Sequence, residues 1–347
     1  MKRFVQIASG VSPGDAITNE IEILYRYALQ SGLRAIVLAE HIGSGLSFPV
    51  DQPDYFTPDE GDVILFHYSI SSRTIEKIIA WPVKLAIKYH NITPASYFEP
   101  YNLIIAGRLK RGRNELKNIL PYFHLHIADS RFNARELESF IGDKVYVSPV
   151  LFPVRTMHRK ARSICRNILF VGRVVPNKGI ADLIKIFYFM QRQSEHLLLT
   201  ICGGIFPGME LYFEELINLI QALGISQKVR FTGYVSEEEL NAEYEKADLF
   251  ISASYHEGFC VPVLEAMQAG LPVLAYVSEE SAMKDTTGDA AVLFHKMHHE
   301  TVAEMAVIML EDTSLREILI QKGLARFRSF HQQNVLENLF FMLQSIT

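Results

Sequence analysis

The feature of this sequence that most constrains its fold is a regular alternation of short apolar runs with longer amphipathic segments. In the first half, segments of helical periodicity such as residues 16–30 separate apolar runs at 4–8, 35–38, 63–66, 84–89, 125–128 and 144–147. The alternation restarts at residues 168–171 and continues with apolar runs at 197–202, 229–232, 249–252 and 272–275. Strands separated by helices are typical of βαβ units, so the pattern predicts parallel sheets.

The chain length predicts more than one domain. A single core stops growing at about 250–300 residues, and this chain has 347. We therefore predict an α/β protein with two Rossmann-like, doubly wound domains facing a cleft, at residues 1–155 and 156–325, and a C-terminal helix at 326–347 that reaches back to the first domain. The basic linker at 151–166 contains Pro153, and we expect a hinge near Arg155. Ligands of such sheets bind at the carboxyl ends of the strands.

Composition excludes several classes of protein. A net charge of −5 argues against a nucleic-acid-binding protein. Three cysteines far apart in sequence form neither a disulfide framework nor a zinc site. Residues 1–10 are expected to form a strand rather than a signal peptide, and no run of about 18 apolar residues occurs, so we expect a cytoplasmic location. Two basic patches fit solvated surface or a contact with phosphate or membrane: Arg108–Lys117 and Arg155–Arg166.

The first candidate site is the segment 172–179, Gly-Arg-Val-Val-Pro-Asn-Lys-Gly, which follows the strand at 168–171 and opens a helix. Amides at a helix N-terminus attract phosphate, and Arg173 and Lys178 add two cations beside them. A departing diphosphate needs this kind of charge neutralisation. The segment lacks the order of residues found in a Walker loop. The alternative is an ordinary basic turn before a helix.

The second candidate site is the segment 256–267, His-Glu-Gly-Phe-Cys-Val-Pro-Val-Leu-Glu-Ala-Met, in which Pro262 marks the start of a helix. Seven residues separate Glu257, in the loop, from Glu265, expected in the first helical turn. Carboxylates can accept hydrogen bonds from ribose and sugar hydroxyls. An anion can also be bound by the backbone amides of Gly258, Phe259, Cys260 and Val261. The alternatives are a solvated loop acid for Glu257 and a partner of the helix dipole for Glu265.

Taken together and in this order, the two segments strongly resemble the large GT-B family of retaining glycosyltransferases, in its group 1 form with an acid-x7-acid motif. The resemblance covers most of the C-terminal half and includes Thr-Gly-Tyr-Val at 232–235 and Ala-Asp-Leu-Phe at 247–250. One departure is Cys260, where the family commonly has glycine. We expect this small side chain to pack without redox function.

The resemblance implies a role for each matching residue. Arg173 and Lys178 fall on the family's diphosphate-binding pair. Glu265 would bind the ribose hydroxyls, Glu257 would lie near the donor sugar or its phosphate, and Val235 would pair backbone groups with the base. The strand end at Gly203 belongs to the same predicted donor site.

The N-terminal half matches the family more loosely. The glycine-rich loop 10–15, which includes Gly14, falls where the family approaches donor phosphate and acceptor; an ordinary strand-to-helix turn is the alternative. His90 follows a predicted strand where many members carry an active-site histidine. His67 is the competing candidate, and a structural role is the alternative for both. The segment Ala-Asp-Ser-Arg-Phe-Asn at 128–133 also resembles the family.

The expected function is retaining transfer of a hexose from a nucleotide sugar, with GDP-mannose favoured and UDP-sugars next, to a glycan or lipid-linked acceptor. The resemblance implies front-face attack, with His90 hydrogen-bonded to the donor sugar. We expect no cofactor and no metal, because a suitably placed Asp-x-Asp motif is absent from the sequence. The residues from Trp81 through Lys117 suggest a peripheral contact with the inner face of a bacterial membrane. Alternatives are a non-catalytic nucleotide-sugar-binding scaffold, a sugar-nucleotide epimerase and a phosphorylase.

Overall fold

The computed structural model describes residues 1–155 and 166–346. Most of the expected linker and basic patch, including Cys165, lies outside the described residues. The strands are β1 Arg3–Ala8, β2 Arg34–Ala39, β3 Val63–Tyr68, β4 Lys84–Tyr89, β5 Leu125–Ala128, β6 Tyr146–Val147, β7 Asn167–Val171, β8 Leu198–Cys202, β9 Val229–Phe231, β10 Leu249–Ser252, β11 Val273–Tyr276 and β12 Val292–Phe294. Each predicted strand is present, and the one expected at 144–147 is reduced to two residues.

Helices alternate with these strands as expected. They are α1 Ala16–Gln30, α2 Ile75–Ile79, α3 Leu103–Ile119, α4 Arg131–Ile141, α5 Ile180–Gln193, α6 Glu210–Ala222, α7 Glu237–Lys246, α8 Val261–Gln268, α9 Met283–Thr287, α10 His299–Glu311, α11 Thr313–Ser329 and α12 Gln332–Gln344. Local chemistry fixes several helix ends. Asp15 caps α1 by accepting from the amides of Ile17 and Thr18, and Ser236 forms a capping box with Glu239 on α7.

The C-terminal helix expected at residues 326–347 corresponds to α12, which begins at Gln332, and the residues before it belong to α11. The chain breaks between α11 and α12, where His331 has φ −2° and ψ 86°. Neither glycine nor proline lies at this break, and the local signal for a helix end is limited to the basic residues Arg326 and Arg328 in the last turn of α11.

Each half of the chain forms one all-parallel, six-stranded sheet with helices between its strands. The strand orders are β2-β1-β3-β4-β5-β6 and β12-β11-β10-β7-β8-β9. The predicted fold class, two Rossmann-like α/β sheets, is therefore confirmed. In both sheets the strand order reverses beside the first strand, and loops after the strands at such a point are the usual ligand-binding position.

The chain divides into two compact units. The first contains Met1–Ala95, Ile104–Val154 and Phe330–Thr347, and the second contains Ser96–Leu103 and Arg155–Ser329. Helix α12 packs on the core of the first unit through Leu336, Leu339, Phe340 and Leu343. Ser96–Leu103 belongs to the second unit, whereas the predicted division placed these residues in the first domain. Within the second unit, the Tyr101 hydroxyl donates to Glu215 at 2.7 Å.

Candidate functional site

The loop between β7 and α5 carries the first predicted motif. Gly179 adopts φ +63°, and a Cβ there would lie 2.0 Å from the carbonyl oxygen of Ala253, so only glycine fits. Asn177 joins this loop to the one after β10, since its carbonyl accepts from the Tyr255 amide at 2.9 Å. Arg173 is exposed, with its guanidinium 5.3 Å from the centroid of the Phe206 ring.

The structure brings the two predicted motifs into contact through one ion pair. The Lys178 ammonium lies 2.7 Å and 2.8 Å from the two carboxylate oxygens of Glu257. Their side chains are 17% and 8% exposed, so the ammonium is partly covered and still reaches solvent. A cation held in this way can bind an anion as a third partner.

The start of α8 explains the departure at position 260. Cys260 is the N-cap residue of α8 and adopts φ +70°, a conformation that glycine adopts readily and other residues rarely do. Burial raises the pKa of its thiol well above the usual value, and the Glu257 carboxylate raises it further. The thiol therefore stays protonated at neutral pH, in keeping with a packing role.

Glu265 lies in the second turn of α8, because the helix begins at Val261; the expectation of a first-turn position is wrong. Its Oε1 accepts from Arg155 Nε at 3.1 Å, and its Oε2 accepts from the Tyr244 hydroxyl at 2.8 Å. Burial raises the pKa of Tyr244 well above 10, so its hydroxyl remains a donor. The partners of this carboxylate are thus an arginine and a tyrosine rather than first-turn amides.

Two further strand ends lie beside the first loop. A Cβ at Gly203 would lie 2.1 Å from the Gly172 carbonyl oxygen, so this glycine allows the ends of β7 and β8 to approach. Val235 is half-buried and follows Tyr234, which is 70% exposed. A Cβ on Gly204 would lie 2.2 Å from the Tyr234 ring, so the absence of a side chain at Gly204 lets this ring pack against the backbone.

In the N-terminal unit, the loop between β1 and α1 has the structure of a strand-to-helix turn. Gly14 adopts φ +78°, and Asp15 caps the helix that follows. Nothing lies within 4 Å of a Cβ built on Gly14, so only its conformation requires glycine here. A role for this loop in binding remains a prediction.

The two competing histidines contact each other. His67 Nδ1 lies 3.0 Å from His90 Nε2, and His90 Nδ1 lies 2.7 Å from an Asp129 carboxylate oxygen. Both ring nitrogens of His90 are therefore engaged inside the N-terminal unit. Burial lowers the pKa of His67 well below 6.5, and the neighbouring His90 and Lys88 lower it further.

A buried ion pair, which the sequence analysis missed, completes this cluster. Lys88 Nζ donates to Glu20 Oε1 at 2.5 Å, and neither side chain is exposed. Glu20 Oε2 has no hydrogen-bond partner and lies 3.9 Å from His90 Nε2. Burial raises the pKa of Glu20, and the Lys88 ammonium opposes that effect. We call Gln6, Glu20, His67, Lys88, His90 and Asp129 the buried cluster.

Glu20, His67 and His90 offer possible metal-ligand atoms within 4.8 Å of one another. The hydrogen bonds around the two histidines instead favour a hydrogen shared between the His67 and His90 rings. Gln6 donates to the Ile21 carbonyl and so turns its own carbonyl oxygen toward His67 Nε2, at 3.0 Å. His67 Nε2 then carries the hydrogen, and His67 Nδ1 accepts from His90.

The sequence signal for the buried cluster was available. Glu20 lies on the apolar stripe of α1, which also carries Ile21 and Leu24, and Lys88 lies inside the apolar run of β4. Polar residues at core positions need partners, so their presence predicts pairing. It does not identify the partner, because Glu20 and Lys88 are 68 residues apart.

Comparison with known proteins relates the C-terminal half of the chain to one family. Residues 164–326 match the family model for glycosyl transferases group 1. The O-antigen chain mannosyltransferase B of Escherichia coli is 29% identical over 166 residues, covering 48% of this chain and 42% of that protein. A D-inositol 3-phosphate glycosyltransferase of Corynebacterium aurimucosum is 29% identical over 184 residues, covering 52% and 44%. The aligned region is thus less than half the length of either relative.

Solved structures extend the likeness to the whole fold. A sucrose-phosphate synthase from Thermosynechococcus elongatus has a TM-score of 0.78 at 16% identity, covering 99% of this chain and 98% of that one. Anabaena HepE in complex with UDP-glucose has a TM-score of 0.75 at 17% identity, covering 99% of each chain. This chain therefore has the GT-B fold, and its residues 164–326 match the family model for glycosyl transferases group 1.

Proposed function

We propose that this protein is a retaining glycosyltransferase that moves a hexose from a nucleotide sugar to a glycan or lipid-linked acceptor. The observation that carries the proposal is the Lys178–Glu257 pair, which joins a cationic strand-to-helix loop to the carboxylate motif. It lies inside the region that matches the glycosyltransferase family.

The chemistry follows from the charges at this edge of the sheet. As the bond between the sugar C1 and the diphosphate oxygen breaks, negative charge grows on the diphosphate. Arg173 and Lys178 stabilise that charge. The acceptor oxygen bonds C1 on the face that the diphosphate leaves, and the departing phosphate oxygen takes the acceptor proton. Positioning and charge stabilisation supply most of the rate, and no step uses a metal ion.

Glu265 accepts hydrogen bonds from the ribose hydroxyls in this proposal, and Val235 contacts the base. The proposed bond from His90 to the donor sugar has one structural requirement. His90 must release either His67 or Asp129, because both ring nitrogens already have partners.

GDP-mannose remains the favoured donor, with UDP-sugars next. The mannosyltransferase relative supports the first, and the UDP-glucose complex of the structural relative supports the second. The O-antigen relative also supports an acceptor in bacterial surface-polysaccharide synthesis.

Thermal unfolding with GDP-, UDP- and ADP-sugars tests the donor site. One nucleotide family should raise the midpoint of the wild-type protein, because ligands stabilise the state that binds them. Lys178→Ala should lose that shift. Lys185→Ala is the matched control, since Lys185 lies in the second turn of α5, is 41% exposed and pairs with Asp182. No shift with any nucleotide sugar would contradict the proposal, and a shift without turnover would favour a scaffold.

A peripheral membrane contact through α3 is proposed as well. Its surface carries Leu103 and Ile104, 76% and 78% exposed, followed by the exposed cations Lys110, Arg111 and Lys117. No helix among the described residues is long and apolar enough to cross a membrane. Co-sedimentation with vesicles of anionic phosphatidylglycerol should be lost when the three cations become glutamine, and unchanged binding would contradict the contact.

A further inference from the structure

Arg155 makes an unusually complete set of contacts for a residue that the sequence places in a linker. Its side chain is 5% exposed, its Nε donates to Glu265 Oε1 at 3.1 Å, and its Nη1 donates to Asn241 Oδ1 at 3.1 Å. Two different nitrogens of one rigid guanidinium thus donate hydrogen bonds, one to the Glu265 carboxylate and the other to the side-chain amide of Asn241.

The backbone of Arg155 is held by the same helix. Gln268, one turn after Glu265 on α8, donates from Nε2 to the Arg155 carbonyl oxygen. Arg155 is therefore fastened to α8 through both its main chain and its side chain, and to α7 through Asn241. A residue held at three points has little freedom to leave when a ligand arrives.

The Glu265 carboxylate is consequently fixed in orientation. Arg155 donates to one of its oxygens and Tyr244 donates to the other. An ionised carboxylate has about four acceptor positions, so two remain after these bonds are made. Two neighbouring hydroxyls, such as those of a ribose, match that number.

We propose that Arg155 is a positioning residue that orients Glu265 to accept the ribose hydroxyls of the donor. This inference rests on the proposed function, which assigns the ribose to Glu265. Arg155 itself touches neither sugar nor phosphate in this role. It acts by holding one oxygen of Glu265, keeping the remaining acceptor positions in a fixed direction.

The test compares a nucleoside diphosphate with its 2′-deoxy form. Calorimetry gives the dissociation constants of UDP, GDP and their 2′-deoxy analogues for the wild type, Arg155→Gln, Glu265→Gln and the double variant. Loss of a hydroxyl bonded to a carboxylate should weaken wild-type binding roughly 10- to 100-fold. Arg155→Gln should reduce that deoxy penalty to about threefold. The double variant should show no smaller penalty than Glu265→Gln alone, because the two residues act as one unit.

Two further variants distinguish a loss of the positioning role from a general loss of folded structure. Arg155→Lys retains a positive charge but loses the planar fork, and it should also lose most of the penalty. Arg316→Gln is the matched control, because Arg316 is a partly buried arginine of the same unit that donates to the Leu310 carbonyl and not to Glu265, and it should keep the full penalty. Near-ultraviolet circular dichroism establishes that each variant is folded.

The outcomes separate the two proposals. An unchanged penalty in Glu265→Gln would remove the ribose role of Glu265 and with it the basis of this inference. A penalty lost in Glu265→Gln but retained in both Arg155 variants would overturn the positioning role alone. Tighter binding by Arg155→Gln would also overturn it, since Arg155 would then be competing with the ribose.

Discussion

Each of the two sheets carries one lysine–glutamate pair near the carboxyl ends of its strands, and the two pairs differ in burial. The pair of Lys88 and Glu20 in the first unit has no exposed side-chain surface. The pair of Lys178 and Glu257 in the second unit retains 17% and 8% exposure. A charge inside the protein must be balanced by its neighbours, whereas a charge that reaches solvent can exchange partners at low cost.

The difference in burial indicates different roles for the two sets of charges: charges inside the first unit stabilise the fold, and charges that reach solvent in the second unit can bind a ligand. The buried cluster uses its charges on one another, because Lys88, His90 and Asp129 all find partners within the N-terminal unit. The edge of the second sheet has an exposed Arg173 and a solvent-accessible Lys178, and it achieves close approach of backbone through glycines. We therefore expect substitutions of Lys88 and Glu20 to affect stability and those of Arg173 and Lys178 to affect binding.

The largest expected effect is that of Lys88→Met. Removing one partner of a buried ion pair leaves Glu20 and Asp129 without their cation, at a cost of about 3–5 kcal/mol. Trp81, the only tryptophan of the chain, lies in the N-terminal unit, so its fluorescence during urea unfolding measures this cost. The double variant Lys88→Met, Glu20→Gln should recover part of the loss. A loss below about 1 kcal/mol would show that the pair is no more important than a surface pair.

Gly179→Ala should have the next largest effect, of about 2–4 kcal/mol. The added Cβ meets the Ala253 carbonyl oxygen at 2.0 Å, and the residue keeps a positive φ. Gly224→Ala is the control in the same unit, because Gly224 has φ +69° with nothing within 4 Å, and it should cost about 1 kcal/mol. Thermal unfolding followed by circular dichroism compares the two. Equal losses would mean that conformation, not close approach, selects Gly179.

Sequence patterns predicted the fold well because each strand and helix has its own local signal. The bounds 16–30 and 84–89 were reproduced to the residue as α1 and β4. The break at His331 was not predicted, since neither glycine nor proline marks it and the basic residues Arg326 and Arg328 are a weak signal on their own. Its cause is tertiary: α12 packs on the N-terminal unit, through residues such as Phe340.

The candidate site was predictable where its chemistry is contiguous in sequence. Lys178 and Glu257 were each identified within a short motif, and the fold then brings them into contact. Arg155 was considered only as a hinge and as part of a basic patch, because its partner Glu265 is 110 residues away. His67 and His90 were treated as rivals for the same reason, since a linear pattern does not reveal that two strand ends place them side by side.

The pH dependence of the free energy of unfolding should isolate the contribution of His67 within the buried cluster. The folded state holds the pKa of His67 well below the unfolded value of about 6.5, so the unfolded chain binds the proton first as the pH falls. The contribution of His67 to the free energy of unfolding is therefore fully present above pH about 6.5. It is lost below that pH, by up to about 1.4 kcal/mol per pH unit. Trp81 fluorescence in urea between pH 7 and 5 measures the slope. His67→Gln should flatten it, and His41→Gln, an exposed control in the same unit, should not.

The smallest expected effect on stability is that of Lys178→Met, although this variant should abolish donor binding. Its ammonium reaches solvent, so the loss of the pair with Glu257 should cost only about 1 kcal/mol. Urea unfolding followed by circular dichroism, set beside donor binding by calorimetry, gives both quantities on one sample. A loss of stability equal to that of Lys88→Met would remove the contrast between the two pairs, because Lys178 would then be holding the fold. Unchanged donor binding would instead show that the cations of this edge do not act on the diphosphate.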